Sequence, residues 1–397
     1  MRDVRLRPLA SFLARPPHNG FSPNEVEDWT GVLALGLGCL TVDGFRPRQL
    51  KNIPAQDSRY TGAWLSDGDL LMSRSNTLDM VGLVGRYRDI QTPCIYPDLM
   101  MRLAPNSLVL PRFLELTLQS SAVRTQIKSF AQGTSASMVK ISAATVMRLH
   151  VRIPDLPEQK RVVEILDSAD GAIDSTARVA EKLESTAAAL TTARLSELAL
   201  HAPSVARLSD VADVLSGVTL GSEPSGPGSV ELPYLRVANV QDGRIDTTEM
   251  KTIRILRSEM PKYLLCSGDV LLTEGGDLDK LGRGAMWDGR IPECITQNHV
   301  FRVRCNESRV LPGYLSAYIG SLMGKAYFLR IAKQTTNLAS INSTQLKAMP
   351  LPLPIVSDQS ALIDLMATGA AETKTQRQRL VKLQTLRRGL LDDLLSG

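Results

Sequence analysis

The chain has 397 residues, 43% hydrophobic and 22% charged, with 46 basic and 41 acidic residues and a formal net charge of +5 at pH 7. That balance excludes a disordered chain, and the length leaves room for two or three domains. The longest apolar run, residues 32–40, falls far short of the roughly 20 residues a membrane helix needs.

At the N-terminus, Met1-Arg2-Asp3-Val4-Arg5 has no apolar segment of the secretory-signal kind. Short apolar stretches broken by Gly, Pro, Asn and Asp follow at 32–37, 69–72 and 100–103, and these predict strands and turns. Residues 110–130 predict an amphipathic helix that starts near a proline. From Pro157 to Ala202 there is no proline, and alternating spacings of three and four give a heptad seam. Its members are Leu166, Ala169, Ile173, Thr176, Ala180, Leu183, Ala187 and Leu190.

The second half repeats the first. Gly68-Asp69-Leu70-Leu71 returns as Gly268-Asp269-Val270-Leu271, and Asp98–Leu103 as Asn298–Val303. Ile141-Ser142 matches Ile341-Asn342, and Glu158-Gln159 matches Asp358-Gln359. Lys182-Leu183 matches Lys382-Leu383, and each of these pairs is 200 residues apart. Strands are expected again at 232–237, 269–273 and 300–304, and a helix at 311–332. After Pro354 the seam reads Met366, Gly369, Thr373, Gln376, Leu380, Leu383, Arg387 and Leu390. A repeat this long is two copies of one domain with a following helix, not a solenoid. The expected organisation is α+β. Two similar mixed α/β domains, 1–157 and 201–357, are each followed by a long helix, 158–200 and 358–397. Neither seam is strongly apolar, so neither helix is expected to stand alone. Capping of its own domain is one arrangement for each helix. An antiparallel coiled coil of the two is favoured, because their registers match.

The charge is unevenly placed. Residues 1–157 carry net +5, 158–200 net −3, 201–357 net +2 and 358–397 net +1. The basic residues of the globular parts cluster in loop-like segments. They are Arg46, Arg48, Lys51 and Arg59; Arg74, Arg86 and Arg88; Arg236 and Arg244; Lys251, Arg254 and Arg257; Lys280 and Arg283. Asn76, Asn239, Gln241, Gln334 and Asn337 lie in similar places. Lys and Arg neutralise phosphates, and Arg, Asn and Gln suit groove edges, so the clusters are candidate DNA contacts. Any one of them alone could as well be a solvated surface residue.

No catalytic constellation emerges. There is no P-loop, H-E-x-x-H or G-x-S-x-G, and no Asn-Pro-Pro-aromatic motif of a DNA amino-methyltransferase. Ser137-Met138-Val139-Lys140 fits S-x-x-K without its companion motifs. Asp69 and Asp269 follow a glycine, where Asp is common for backbone reasons. Glu274 has no matching acid in the first copy, where Arg74 stands. Five cysteines never form C-x-x-C and four histidines are scattered. That removes the usual zinc frameworks and suggests a cytosolic protein with free thiols.

The lead-in Ile153-Pro154-Asp155-Leu156-Pro157-Glu158-Gln159-Lys160-Arg161 is echoed by Leu351-Pro352-Leu353-Pro354 and Asp358-Gln359. With the terminal Leu386–Leu395 stretch, it resembles the specificity subunit of type I restriction-modification systems. The resemblance implies a non-catalytic DNA-reading subunit for phage defence. Each globular part would be a target recognition domain for one half of a bipartite site. The helices would set the spacing and dock methyltransferase subunits, two by expectation. The resemblance also implies that no cofactor is bound by this subunit. S-adenosylmethionine would come with the adenine methyltransferase partner, and ATP and Mg with any motor-nuclease restriction partner. The alternatives are a coiled-coil scaffold that binds proteins through its globular domains, and a nuclease in its own right.

Overall fold

The computed structural model describes residues 5–131, 138–221, 224, 226–276, 281–334 and 339–396. Its described helices are α1 (Pro111–Gln119), α2 (Ser121–Phe130), α3 (Ala143–Met147), α4 (Leu156–Leu200), α5 (Met260–Tyr263), α6 (Pro312–Gly320), α7 (Leu322–Ile331), α8 (Ser343–Lys347) and α9 (Val356–Ser396). Residues fall into two compact units. The first holds the chain through Ala177 together with the stretch from Arg377 onward, and the second runs from Arg178 to Gln376.

The first unit is built on a four-stranded antiparallel sheet in the order Leu13–Asn19, Met100–Pro105, Leu70–Ser73, Val84–Arg86. A smaller sheet places Leu33–Leu35 between Cys94–Ile95, parallel to it, and Leu50–Asn52, antiparallel. Arg7–Pro8 pairs with His150–Val151, which closes the globular part just before α4. The second unit repeats this plan. Its larger sheet runs Ala212–Ser216, Val300–Cys305, Val270–Thr273, Gly284–Met286. Its smaller sheet runs Lys251–Leu256, Ser229–Leu235, Ile295–Thr296, and Ser204–Arg207 pairs with Pro350–Leu353. The strands Leu70–Ser73 and Val270–Thr273 are buried at every position, as central strands covered on both faces must be.

The repeated Gly-Asp pair has a conformational and an electrostatic cause. Gly68 and Gly268 sit at φ +87° and +94°, a region glycine enters without steric cost. The aspartate that follows closes the turn. Asp69 Oδ2 accepts from Ser66 N at 2.9 Å and from Arg102 Nη1 at 3.0 Å. Asp269 Oδ2 accepts from Cys266 N and Arg304 Nη2, both at 2.7 Å. The turn role expected for these aspartates is the one observed.

Two expectations are corrected. The helix expected over 110–130 is two helices, because Ser120 is extended (φ −60°, ψ 150°) and ends α1. Ser321 does the same between α6 and α7, where its Oγ accepts from Gly324 N. A serine at this point satisfies orphan backbone groups that a continuing helix would not leave.

The paired glutamines of the lead-in explain the start of each long helix. Gln159 and Gln359 are fully buried. Gln159 Oε1 accepts from Leu110 N at 2.8 Å, and its Nε2 donates to Leu108 O and Pro154 O. Gln359 makes the same three bonds to Leu311 N, Arg309 O and Pro354 O. Each glutamine ties its long helix to the loop that enters α1 or α6, one residue type serving both copies.

Within the second unit α4 and α9 run antiparallel. Arg194 lies 3.7 Å from Asp358, and a Cβ on Gly369 would stand 2.7 Å from the Cβ of Ala187. Leu195, Leu198, Leu362 and Met366 join the core of this unit. In the first unit Val162 and Leu166 of α4 share a core with Leu390, Leu391, Leu394 and Leu395 of α9. Leu166, Ile173, Leu183, Met366, Leu380, Leu383 and Leu390 are buried or half-buried, as the seam requires. Leu190 is the exception, at 51% exposed. A helix of 3.6 residues per turn drifts off a 3.5-residue seam, and beyond Ala187 the buried positions move to Leu195 and Leu198.

Candidate nucleic-acid interface

Many of the expected DNA-contacting cations are already paired within their own unit. In the first unit Lys51 Nζ lies 2.9 Å from Glu25, and Arg46 Nη2 lies 3.5 Å from Asp174 on α4. Arg86 Nε is 2.9 Å from Glu115, with only 19% of its side chain exposed. Arg59 grips Asp57 through Nε and Nη2, and its guanidinium lies over the Phe21 ring. That grip pulls the Asp57 carboxyl down to about 2, through the side-chain bond first and the backbone bond from Arg59 N second. Replacing Arg59 with alanine is expected to return Asp57 toward the ordinary carboxylate value near 3.9. Carbonyl-detected NMR titration of Asp57 reads this directly, and a titration unchanged by Arg59→Ala would contradict it.

Three expected cations of this unit have no carboxylate within ion-pair distance among the described residues: Arg48, Arg74 and Arg88. Arg48 and Arg88 are exposed. Arg74 is half-buried, and its Nη1 lies 3.4 Å from Asp98 O. Asn76 follows on a two-residue strand that pairs with Val139–Lys140. Arg46 and Arg88 line both a crevice of about 570 Å³ with Leu50 and Ile90 and a larger cavity of about 770 Å³.

In the second unit Arg236 pairs with Glu249 and Arg254 with Glu231. Arg244 and Lys251 are exposed and have no ion-pair partner among the described residues, and Arg283 Nη1 donates to Gln241 Oε1 at 3.4 Å. Asn239 corrects an expectation. It is 4% exposed, its Oδ1 accepts from Arg236 N, and its Nδ2 donates to Asp246 O and Glu249 O. Every polar atom of that side chain closes its own loop, so none is left for a base. Lys280, Asn337 and Ser137, and the side chain of Gln334, lie outside the described residues.

The sequence reading missed a charged joint in the first unit. Arg112 on α1 reaches Glu115 at 2.7 Å, Asp167 at 2.7 Å, and Asp170. Arg387 near the end of α9 meets Asp170 at 2.8 Å and Gln119 Oε1 at 3.3 Å. Asp392 Oδ1 accepts from Ser121 N at the start of α2. Burial alone would lower the Arg112 pKa, but the Glu115 and Asp167 carboxylates beside it outweigh that and raise it. These residues line the 770 Å³ cavity. The sequence signal for it is Arg387 within a heptad seam, where an unpaired cation is costly.

Among the described residues no group of three or more His, Cys, Asp or Glu side chains is placed to hold a metal ion. No described helix is long and apolar enough to cross a membrane.

A family model described as the type I restriction modification DNA specificity domain matches residues 55–185. The EcoKI specificity subunit of Escherichia coli strain K12 is 22% identical over 352 residues, covering 84% of this chain and 75% of that protein. A putative MjaX specificity subunit of Methanocaldococcus jannaschii is 25% identical over 194 residues, 48% of this chain and 45% of that protein. A solved chain from a study of assembly and conformational transition of the type I restriction-modification system aligns over 98% of this chain and 97% of its own. Its TM-score is 0.63 at 15% identity. The HsdS subunit of Thermoanaerobacter tengcongensis aligns over 100% of this chain and 98% of its own, with a TM-score of 0.52 at 14% identity. The doubled fold and these sequence matches agree: residues 55–185 match the type I restriction modification DNA specificity domain, and the chain is similar along most of its length to type I restriction enzyme specificity subunits.

Proposed function

We propose that this chain confers DNA sequence specificity, each unit reading one half of a bipartite, asymmetric site. The observation that carries the reading is a repeated frame with diverged outer residues. Sheet order, Gly-Asp turns and glutamine joints coincide in the two units. The side chains outside that frame do not. Phosphate contacts only position a protein on DNA, and base contacts specify, so divergence of this kind yields two different half-sites. The paired helices set the spacing and dock methyltransferase subunits, two in our reading. Those subunits supply S-adenosylmethionine and methylate adenine. A restriction partner adds ATP- and Mg-dependent cleavage, and the complex works in the cytoplasm. This subunit itself binds no cofactor in our reading and carries no catalysis of its own.

The test is the complex of this chain with its methyltransferase partner. Methylation of randomised DNA is expected at one bipartite motif, and DNA affinity is expected to fall steeply with salt as condensed counterions are released. Exchanging residues 1–157 for another specificity subunit's first domain is expected to change one half-site only. Loss of several specified base pairs, at about 1–3 kcal/mol each, makes the original half-site at least a thousandfold poorer. A change in both halves, or DNA retention indifferent to salt, would overturn the reading.

A further inference from the structure

One backbone position is the same in the two units and carries opposite chemistry. The strand Leu70–Ser73 ends at Arg74, whose N–H donates to Leu99 O at 2.8 Å and whose carbonyl accepts from Ile141 N at 3.0 Å. The strand Val270–Thr273 ends at Glu274, whose N–H donates to His299 O at 3.0 Å and whose carbonyl accepts from Ile341 N at 2.8 Å. The chain then enters a short antiparallel pairing in each case, Ser75–Asn76 with Val139–Lys140 and Gly275–Gly276 with Ala339–Ser340.

Both positions lie at the sheet end farther from the long-helix joint. Met100 is opposite Ser73, and Leu103 is opposite Leu70. The chain leaves the Leu103 end toward Leu108 and Leu110, which hold Gln159. The second unit repeats this, with Val300 opposite Thr273, and Arg309 and Leu311 holding Gln359 beyond Val303. At the joint end Gln159 and Gln359 are fully buried and committed to the helices, whereas Arg74 and Glu274 at the opposite end are half-buried.

Arg74 there has no carboxylate within ion-pair distance among the described residues. Glu274 is 32% exposed, and its Oε2 lies 2.5 Å from Nδ1 of His299, which is 56% exposed. Among the described residues its other carboxylate oxygen has no hydrogen-bond partner. A carboxylate gains nothing from a phosphate, and on a DNA-facing surface it needs a donor opposite. In the major groove the donors are the amino groups of cytosine and adenine, and carboxylates pair best with cytosine N4. An arginine at the same place takes guanine O6 and N7.

We infer that this shared position is a specificity determinant. Arg74 reads a guanine edge in one half-site, and Glu274, held by His299, reads a cytosine amino group in the other. The inference rests on the DNA-reading function proposed above and deepens it.

The test profiles base preference at every position of randomised sites, using methylation by the full complex with wild type, Arg74→Ala, Glu274→Ala, Glu274→Gln, Glu274→Arg and His299→Leu. Thermal unfolding of each variant checks the fold. Arg74→Ala is expected to weaken discrimination about tenfold or more at one base of one half-site. Glu274→Ala should do so at one base of the other half-site, with the first half unaltered. Glu274→Arg should move the preferred base there toward guanine. His299→Leu should broaden the same base as Glu274→Ala, and Glu274→Gln should weaken it without abolishing folding. A wild-type complex without any bipartite preference overturns the underlying reading and this inference with it. A bipartite wild-type profile that Arg74→Ala and Glu274→Ala leave unchanged, or weaken evenly at all bases, overturns this inference alone.

Discussion

Gln359→Leu is expected to destabilise the second unit by about 2–4 kcal/mol. The substitution keeps the volume nearly constant, so little of the cost comes from packing. It removes three hydrogen bonds at a fully buried place, leaving Leu311 N without an acceptor and Arg309 O and Pro354 O without a donor. An unsatisfied buried backbone group costs about 1–3 kcal/mol, and water entering at the helix start recovers part of it. Leu311 is the N-cap of α6, so the loss falls where a helix already has orphan N–H groups. Hydrogen exchange should rise at the start of α9 and in α6, and not in α1. Gln159→Leu should do the same at α4 and α1. Equal exchange in wild type and Gln359→Leu would show that the glutamine is dispensable.

The repeat made much of this legible from sequence. Glutamines 200 residues apart in matching lead-ins occupy matching joints, and the Gly-Asp pairs occupy matching turns. What stayed hidden depends on contacts between residues far apart in the chain. The arginines paired with Asp69 and Asp269 are Arg102 and Arg304, two positions out of register with each other, because Arg302 turns instead to Asp213. No spacing rule anticipates that exchange. The break between α1 and α2 also escaped the periodicity, because a serine cap interrupts the backbone without interrupting the apolar pattern. Among the expected DNA contacts, composition marked where the cations are but not which carry their own counter-charge. Lys51 with Glu25 and Arg59 with Asp57 look like Arg48 and Arg88 in sequence, and only geometry separates them. Asn239 looked like a groove reader because it sits in a loop, yet the loop is folded around it.

The same joint is built from charge in one unit and from small residues in the other, and this gives the last large effect. Arg112, Glu115, Asp167, Asp170 and Arg387 correspond by repeat offset to Gly313, Ser316, Ala367, Ala370 and Ala187. Glu115, 5% exposed, accepts from Arg86 N, Arg86 Nε and Arg112 Nη1. Glu115→Ala strips two guanidiniums of a shared partner in a half-buried place. Removing one member of a buried pair costs about 3–5 kcal/mol, because the remaining charges stay desolvated. Asp167 and Asp170 are nearer solvent and retain Arg112, so a loss of about 3 kcal/mol is expected. Exchange should rise in α1 and at the end of α9, which Arg387 ties to Asp170. Ser316→Ala, at the corresponding place in the second unit, should stay within about 0.5 kcal/mol of wild type, as surface-like substitutions do. That unit closes its helices by contact instead, with Gly369 against Ala187. Gly369→Leu should therefore destabilise the second unit strongly while leaving exchange in α1 unchanged. Equal sensitivity of the two units to Glu115→Ala and Ser316→Ala would refute the division between a charged joint and a close-packed one.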